Sequence, residues 1–83
     1  MKVTLRYFAS VREAMGTGTE QLDTVATTLA ALRAELVARG GAGADALAPG
    51  RAVRMALDQV MSPESASLTP GCEVAFFPPV TGG

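Results

Sequence analysis

Histidine and tryptophan are absent from this chain of 83 residues, and cysteine occurs once, at Cys72. Without histidine, the Ser-His and Cys-His nucleophile arrangements are excluded. A lone cysteine cannot build a four-ligand zinc site or an internal disulfide framework. Charge is sparse as well: seven Lys and Arg against eight Asp and Glu leave a net −1 with no basic cluster. Nucleic acid or an anionic membrane surface is therefore not the expected main partner. No low-charge stretch is long enough to span a bilayer. Met1-Lys2-Val3-Thr4 enters a strand-like pattern at once, without the apolar region and cleavage site of a signal peptide. A cytoplasmic protein is expected. Gly40-Gly41-Ala42-Gly43 lacks both a preceding strand and a following Lys-Ser/Thr, so it reads as a flexible connection and not a phosphate cradle. One small domain of this size has no room for a deep enclosed active site. The body of the chain holds little with which to do chemistry, and no metal or cofactor is expected on it.

What is present is concentrated at the C-terminus. The apolar run Val74-Ala75-Phe76-Phe77 leads directly into Pro78-Pro79-Val80-Thr81-Gly82-Gly83. Proline lacks a backbone N–H and fixes φ, so sheet pairing should cease near Pro78 and no helix can follow. Gly82 and Gly83 carry no Cβ and can pass through a channel too narrow for other residues. The six residues from Pro78 reach roughly 20 Å when extended. The only chemical group at the tip is the Gly83 α-carboxylate. Small residues do collect at idle termini, but a solubilising tail would not be rooted in Phe-Phe-Pro-Pro with no charge after Glu73. The expected organisation is a domain over residues 1–77 and an extended tail over 78–83.

Along the body, Lys2 to Ala9 alternates, with Val3, Leu5 and Tyr7 on one face and Lys2, Thr4, Arg6 and Phe8 on the other. Ser10 to Gly16 reads as one helical turn with Ser10 as N-cap and Gly16 as stop. A second strand is expected over Thr19–Val25, antiparallel to the first, with Leu22 inward. Thr28 caps a helix over Leu29–Arg39, whose Leu29, Leu32 and Leu36 form one stripe of core contacts. Arg39 and Gly40 suit its end. Gly40 to Gly50 reads as a surface loop. Val53, Met55 and Leu57 line one face of a further strand, Asp58-Gln59 turns the chain into a short piece at Val60-Met61, and Leu68 anchors inward. Thr69-Pro70-Gly71 makes a tight turn into a last strand, Cys72–Phe77. The resulting order is strand, strand, helix, strand, short strand, strand. It fits an α+β fold of the β-grasp type: a mixed sheet with first and last strands central, one main helix packed on one face, and a flexible C-terminal tail.

The segment from Gly71 to Gly83 closely resembles the C-terminal signature of the sulfur-carrying small subunits of molybdopterin synthases, which are ubiquitin-like β-grasp proteins. Leu5-Arg6-Tyr7-Phe8-Ala9 followed by Val11-Arg12-Glu13 and Gly16, and Ala56-Leu57-Asp58-Gln59, resemble the same family. Two departures fall at turns: Pro70-Gly71-Cys72-Glu73-Val74 replaces the usual Asp-Gly-Asp-Glu-Val, and Asp58 replaces the usual asparagine. The resemblance implies a carrier whose Gly83 carboxylate is adenylated by a ubiquitin-activating-type enzyme using ATP and Mg²⁺. A sulfur donor then converts it to a thiocarboxylate. Transfer to a cyclic pyranopterin monophosphate (precursor Z), to make the molybdopterin dithiolene of the molybdenum cofactor, would occur in a pocket of the large synthase subunit. That partner would supply the catalytic groups. Two sulfurs per dithiolene imply a heterotetramer with two of each subunit.

Gly83 is thus the reacting residue and Gly82 the one that must pass the channel. Phe76, Phe77, Pro78, Pro79, Val80 and Thr81 are the candidate partner-binding residues. Phe76 and Phe77 lie on opposite faces of the last strand: one is core and the other a partner anchor, or both pack inside. Tyr7 and Phe8 divide the same way, with core packing favoured. Cys72 is expected to act as a small apolar residue. Glu73, Arg6, Arg12 and Arg54 can pair with partners or simply be solvated. A thiamine-pathway sulfur carrier, a modifier that forms isopeptide bonds, and an interaction module with an idle tail are the competing readings.

Overall fold

Alternation in the first strand decides which side of the sheet becomes core. The computed structural model describes residues 1–41 and 43–79. β1 (Lys2–Tyr7) buries Val3, Leu5 and Tyr7 to about their last atom, while Lys2 and Arg6 stay exposed. It pairs antiparallel with β2 (Thr19–Asp23), placing Val3 opposite Leu22 and Leu5 opposite Glu20. It pairs parallel with β5 (Glu73–Phe77), placing Leu5 opposite Val74 and Tyr7 opposite Phe76. β3 (Arg54–Leu57) runs antiparallel to β5 and to the two-residue β4 (Val60–Met61). The sheet order is β2-β1-β5-β3-β4, with β5 in the middle and β1 beside it. This is the β-grasp arrangement.

One helix closes the core face. In α2 (Leu29–Ala38), Leu29, Leu32 and Leu36 are buried and join Val3, Leu5, Tyr7, Met55, Val74 and Phe76 in one cluster. Each such side chain stabilises by about 1.5–3 kcal/mol on burial. The first N–H groups of a helix have no partner within it, and here each is assigned. The Leu29 N–H donates to Ala66 O and the Ala30 N–H to Glu64 O, while the Ala31 N–H donates to Thr28 Oγ1. Thr28 is therefore the cap that its position suggests. The segment before β5 also ties the helix start down, with Leu68 buried and its N–H donating to Thr27 O.

Two local expectations need correction. The first helix, α1, runs over Ala9–Met15, and Phe8, not Ser10, stands at its N-cap without a side-chain bond. The chain turns at Ala9 (φ 52°), one residue earlier, so Ser10 falls inside the first turn and caps nothing. Gly16 does stop the helix, at φ 79° with its N–H donating to Arg12 O. The second correction concerns Gly40–Gly50, which is not only loop: α3 (Ala44–Leu47) lies within it, and Leu47 is fully buried. Arg33 on α2 fastens this stretch. Its guanidinium donates to the carbonyls of Leu47 (2.7 Å), Ala48 (3.0 Å) and Arg51 (2.9 Å) and pairs with Glu64 at 2.7 Å. Leu47, the only large apolar residue among these glycines and alanines, gives the segment its reason to fold inward. Among the described residues, no helix is long and apolar enough to cross a membrane.

Candidate functional site: the root of the C-terminal tail and the open sheet face

The last strand occupies the centre of the sheet, so whatever follows Phe77 is aimed from the most constrained part of the fold. Pairing ends at Phe77, opposite Arg54, and the half-buried Pro78 and Pro79 follow outside any strand, as the missing proline N–H requires. Val80, Thr81, Gly82 and Gly83 lie outside the described residues, together with the roles expected of them.

Alternation divides the two phenylalanines at the root. Phe76 is fully buried and stacks on Tyr7, with ring centroids 6.0 Å apart. It belongs to the core, so as a partner-binding residue it is withdrawn: its ring presents nothing to a partner. Phe77 points to the other face, half-buried, and meets Phe8 edge-on at 6.5 Å. Of the two, Phe76 is therefore the core residue, and Phe77 is the one whose ring reaches the other face. Phe8 departs from the core packing expected of it and is 44% exposed. Its position with Lys2, Thr4 and Arg6 on the polar side of β1 already carried that signal.

The open face continues across the sheet. Arg6, Ala75, Ala56 and Met61 form one cross-strand row, read from the pairings of β1 with β5, β5 with β3 and β3 with β4. Ala56 and Ala75 are each only 7% exposed. Met61 at one end is 53% exposed. The two alanines thus lie between exposed Met61 at one end of the row and Arg6 at the other, while Phe77, two residues along β5, and Phe8, just past β1, lie on the same face. Arg6 lies 5.8 Å from the Phe8 ring centroid and 3.7 Å from the Glu73 carboxylate; such exposed pairs are worth little individually. Arg54, opposite Phe77 in the register, is exposed, as is Arg12 on α1.

The polar groups elsewhere hold structure. The Tyr7 hydroxyl donates to Glu20 Oε1 at 2.6 Å, and Arg39 pairs with both Glu20 oxygens. Burial first, and then the bond to Glu20, push the Tyr7 phenol well above its ordinary value. The Arg39 guanidinium holds the Glu20 carboxyl below its own. This cluster ties β1 and β2 to the end of α2, so Arg39 closes the helix-sheet edge and does more than suit a helix terminus. Cys72 is buried at 3% exposure beside the apolar core, as a small apolar residue would be. Among the described residues, no three His, Cys, Asp or Glu side chains come together to hold a metal ion. The arrangement offers a central strand that leads into the tail and a sheet face that carries Phe8, Phe77, Ala75, Ala56 and Met61 among the charged Arg6, Glu73 and Arg54.

Residues 5–83 match the ThiS family. The chain is 40% identical over 81 residues to the molybdopterin synthase sulfur carrier subunit of Escherichia coli (strain K12), covering 98% of this chain and 99% of that one. It is 39% identical over 77 residues to the molybdopterin synthase sulfur carrier subunit of Haemophilus influenzae, covering 93% and 94%. Among solved structures, it resembles a chain in the protein-protein complex of subunits 1 and 2 of the molybdopterin-converting factor from Helicobacter pylori 26695. The TM-score there is 0.67, with full coverage of both chains and 23% identity, a likeness of fold alone.

Proposed function

Because this chain belongs to the ThiS family, we propose that it is the sulfur-carrying subunit of a molybdopterin synthase, acting in the cytoplasm through its Gly83 carboxylate. The observation that carries this reading is the near-40% identity, over almost the whole of each chain, to carriers of that function. A thiamine-pathway carrier would share the fold and the Gly-Gly end but not the Phe77-Pro78-Pro79 root.

A carboxylate resists acyl transfer because it has no good leaving group. An activating enzyme supplies one: with ATP and Mg²⁺ it joins the Gly83 carboxylate to AMP and releases pyrophosphate. Both ATP and Mg²⁺ belong to that enzyme in this reading. A sulfur nucleophile then displaces AMP, and the resulting thiocarboxylate is ionised at neutral pH with a polarisable sulfur, as thiolates have. The large synthase subunit docks on the open face, which is continuous with the tail root, and receives the tail in its own pocket. There the sulfur passes to the cyclic pyranopterin monophosphate under the partner's catalytic groups. Two carriers serve each dithiolene, which gives a heterotetramer with two of each subunit.

The deciding experiment is mass spectrometry after incubation with a cognate activating enzyme, ATP and a sulfur donor. Methionine oxidation mimics an oxygen-to-sulfur exchange in mass, so fragmentation must place the change. Sulfur on Gly83 is the expected result. An unmodified Gly83, with the enzyme active on a control carrier, overturns the proposal. Gly82→Ile should fold normally and lose sulfur transfer, because its side chain obstructs a channel sized for glycine; transfer at the native rate would remove the steric argument.

A further inference from the structure

The four methionines of this chain occupy different environments. Met55 is 4% exposed, and Met1 and Met15 pack against the core cluster. Met61 alone is exposed, at 53%, on the edge strand β4. Its register opposite Ala56, and that of Ala56 opposite Ala75, place it at the end of the alanine row on the open face. A thioether suits such a surface because it is polarizable and adapts its shape. It is also the side chain there that a mild oxidant attacks, since peroxide reactivity follows sulfur accessibility.

We propose that Met61 is an oxidation-sensitive element of the docking face: peroxide converts it to the sulfoxide and weakens capture of the large synthase subunit until a methionine sulfoxide reductase reverses the change. This rests on the docking face proposed above. In the step itself, a sulfur lone pair attacks one peroxide oxygen, the O–O bond breaks and an S–O bond forms. The departing hydroxide takes the proton from the oxygen now on sulfur and leaves as water. Sulfur loses two electrons and the peroxide gains them. The product carries a strongly polar oxygen into a row whose neighbours are the methyl groups of Ala56 and Ala75. On docking, that oxygen would be desolvated against carbon, a penalty that the reduced thioether does not meet.

The test uses the full chain in its carboxylate form, so that no sulfur exchange confuses the masses, with limited hydrogen peroxide and peptide mapping. Affinity for the purified large subunit is measured before treatment, after it, and after methionine sulfoxide reductases A and B. Met61 should oxidise first and Met55 last. Affinity should fall about tenfold and return on reduction. Met61→Leu should show the same affinity before and after peroxide, whatever its own value. The proposal is overturned if Met61 oxidises no faster than Met1 and Met15, or if treated and untreated wild type bind alike. Phe77→Ser separates the two levels of inference. Weak binding by that variant with no peroxide effect sinks the Met61 proposal alone, whereas wild-type binding by it removes the docking face as well.

Discussion

Arginine 33 shows how one side chain can replace a stretch of missing secondary structure. Its fork meets three carbonyls and the Glu64 carboxylate while the side chain is only 13% exposed. Lysine keeps the charge but cannot reproduce that planar geometry. Arg33→Lys is therefore expected to cost about 1–2 kcal/mol in chemical denaturation, because the part-buried Leu47 and Ala48 carbonyls lose the forked donors that meet them together. Tyr7 and Glu20 permit a second measurement at this scale. Glu20 has its folded-state value lowered from 4.5, chiefly by the bond from Arg39, so its contribution is complete above 4.5 and is lost as pH falls through the lower folded value. Acid unfolding of Glu20→Gln should accordingly be less pH-dependent in that window than that of wild type. Tyr7 is raised from 10.0, so its contribution is complete below 10.0 and is lost as pH rises through the higher folded value. It is the only tyrosine, so an ultraviolet titration reads it alone. The folded chain should show no phenolate near pH 10, and unfolding in denaturant should restore it.

At the scale of elements, the β3–β4 hairpin carries its stress openly. Its two-residue turn places Asp58 at φ 49° and Gln59 at φ 69°, the twist that matches the flanking strands and favours asparagine and glycine. Gln59→Gly should stabilise by about 0.5–1 kcal/mol, seen as a raised denaturation midpoint, since a left-handed residue with a Cβ bears a strain of that order. Asp58 is not free to change in the same way: its Oδ1 accepts the Glu73 N–H at 2.8 Å and pins the hairpin to the start of β5. The turn was legible because Asp-Gln interrupts a strand pattern between Leu57 and Val60. So were the leucine stripe of α2 and the alternation of β1, where burial repeats with the period of the backbone. The start of α1 and the whole of α3 were misread because these helices are short, and their limits depend on tertiary partners. Val11 and Leu47 must face inward, and neither a cap at Ser10 nor the glycines around Gly40 records that demand. The open face was half legible. Phe77 followed from alternation, whereas Phe8 and Met61 became part of one surface only when the strand order brought β1, β5, β3 and β4 together.

For the whole molecule, adjacent residues at one strand end face opposite sides of the sheet, and the consequence can be measured. Phe76 completes the core against Tyr7, while Phe77 faces Phe8 on the uncovered side. Phe76→Ala is expected to lose about 3–5 kcal/mol, enough to unfold much of so small a domain, because it removes a ring and leaves a cavity. Phe77→Ser removes a half-buried ring beside solvent, so its cost in stability should be much smaller. Its cost in partner affinity should exceed tenfold if the ring is the anchor of the docking face. Deleting Gly82 and Gly83 supplies the complementary variant: it should unfold like wild type and still compete with intact carrier for the large subunit, yet accept no sulfur. These variants assign folding, docking and sulfur carriage to Phe76, Phe77 and the glycine tip in turn. Thermal unfolding, competition binding and sulfur loading, measured on all three, should each single out a different one. Were Phe77→Ser to lose stability as severely as Phe76→Ala while binding normally, the open face would be a second core surface, and docking would have to rest on the tail alone.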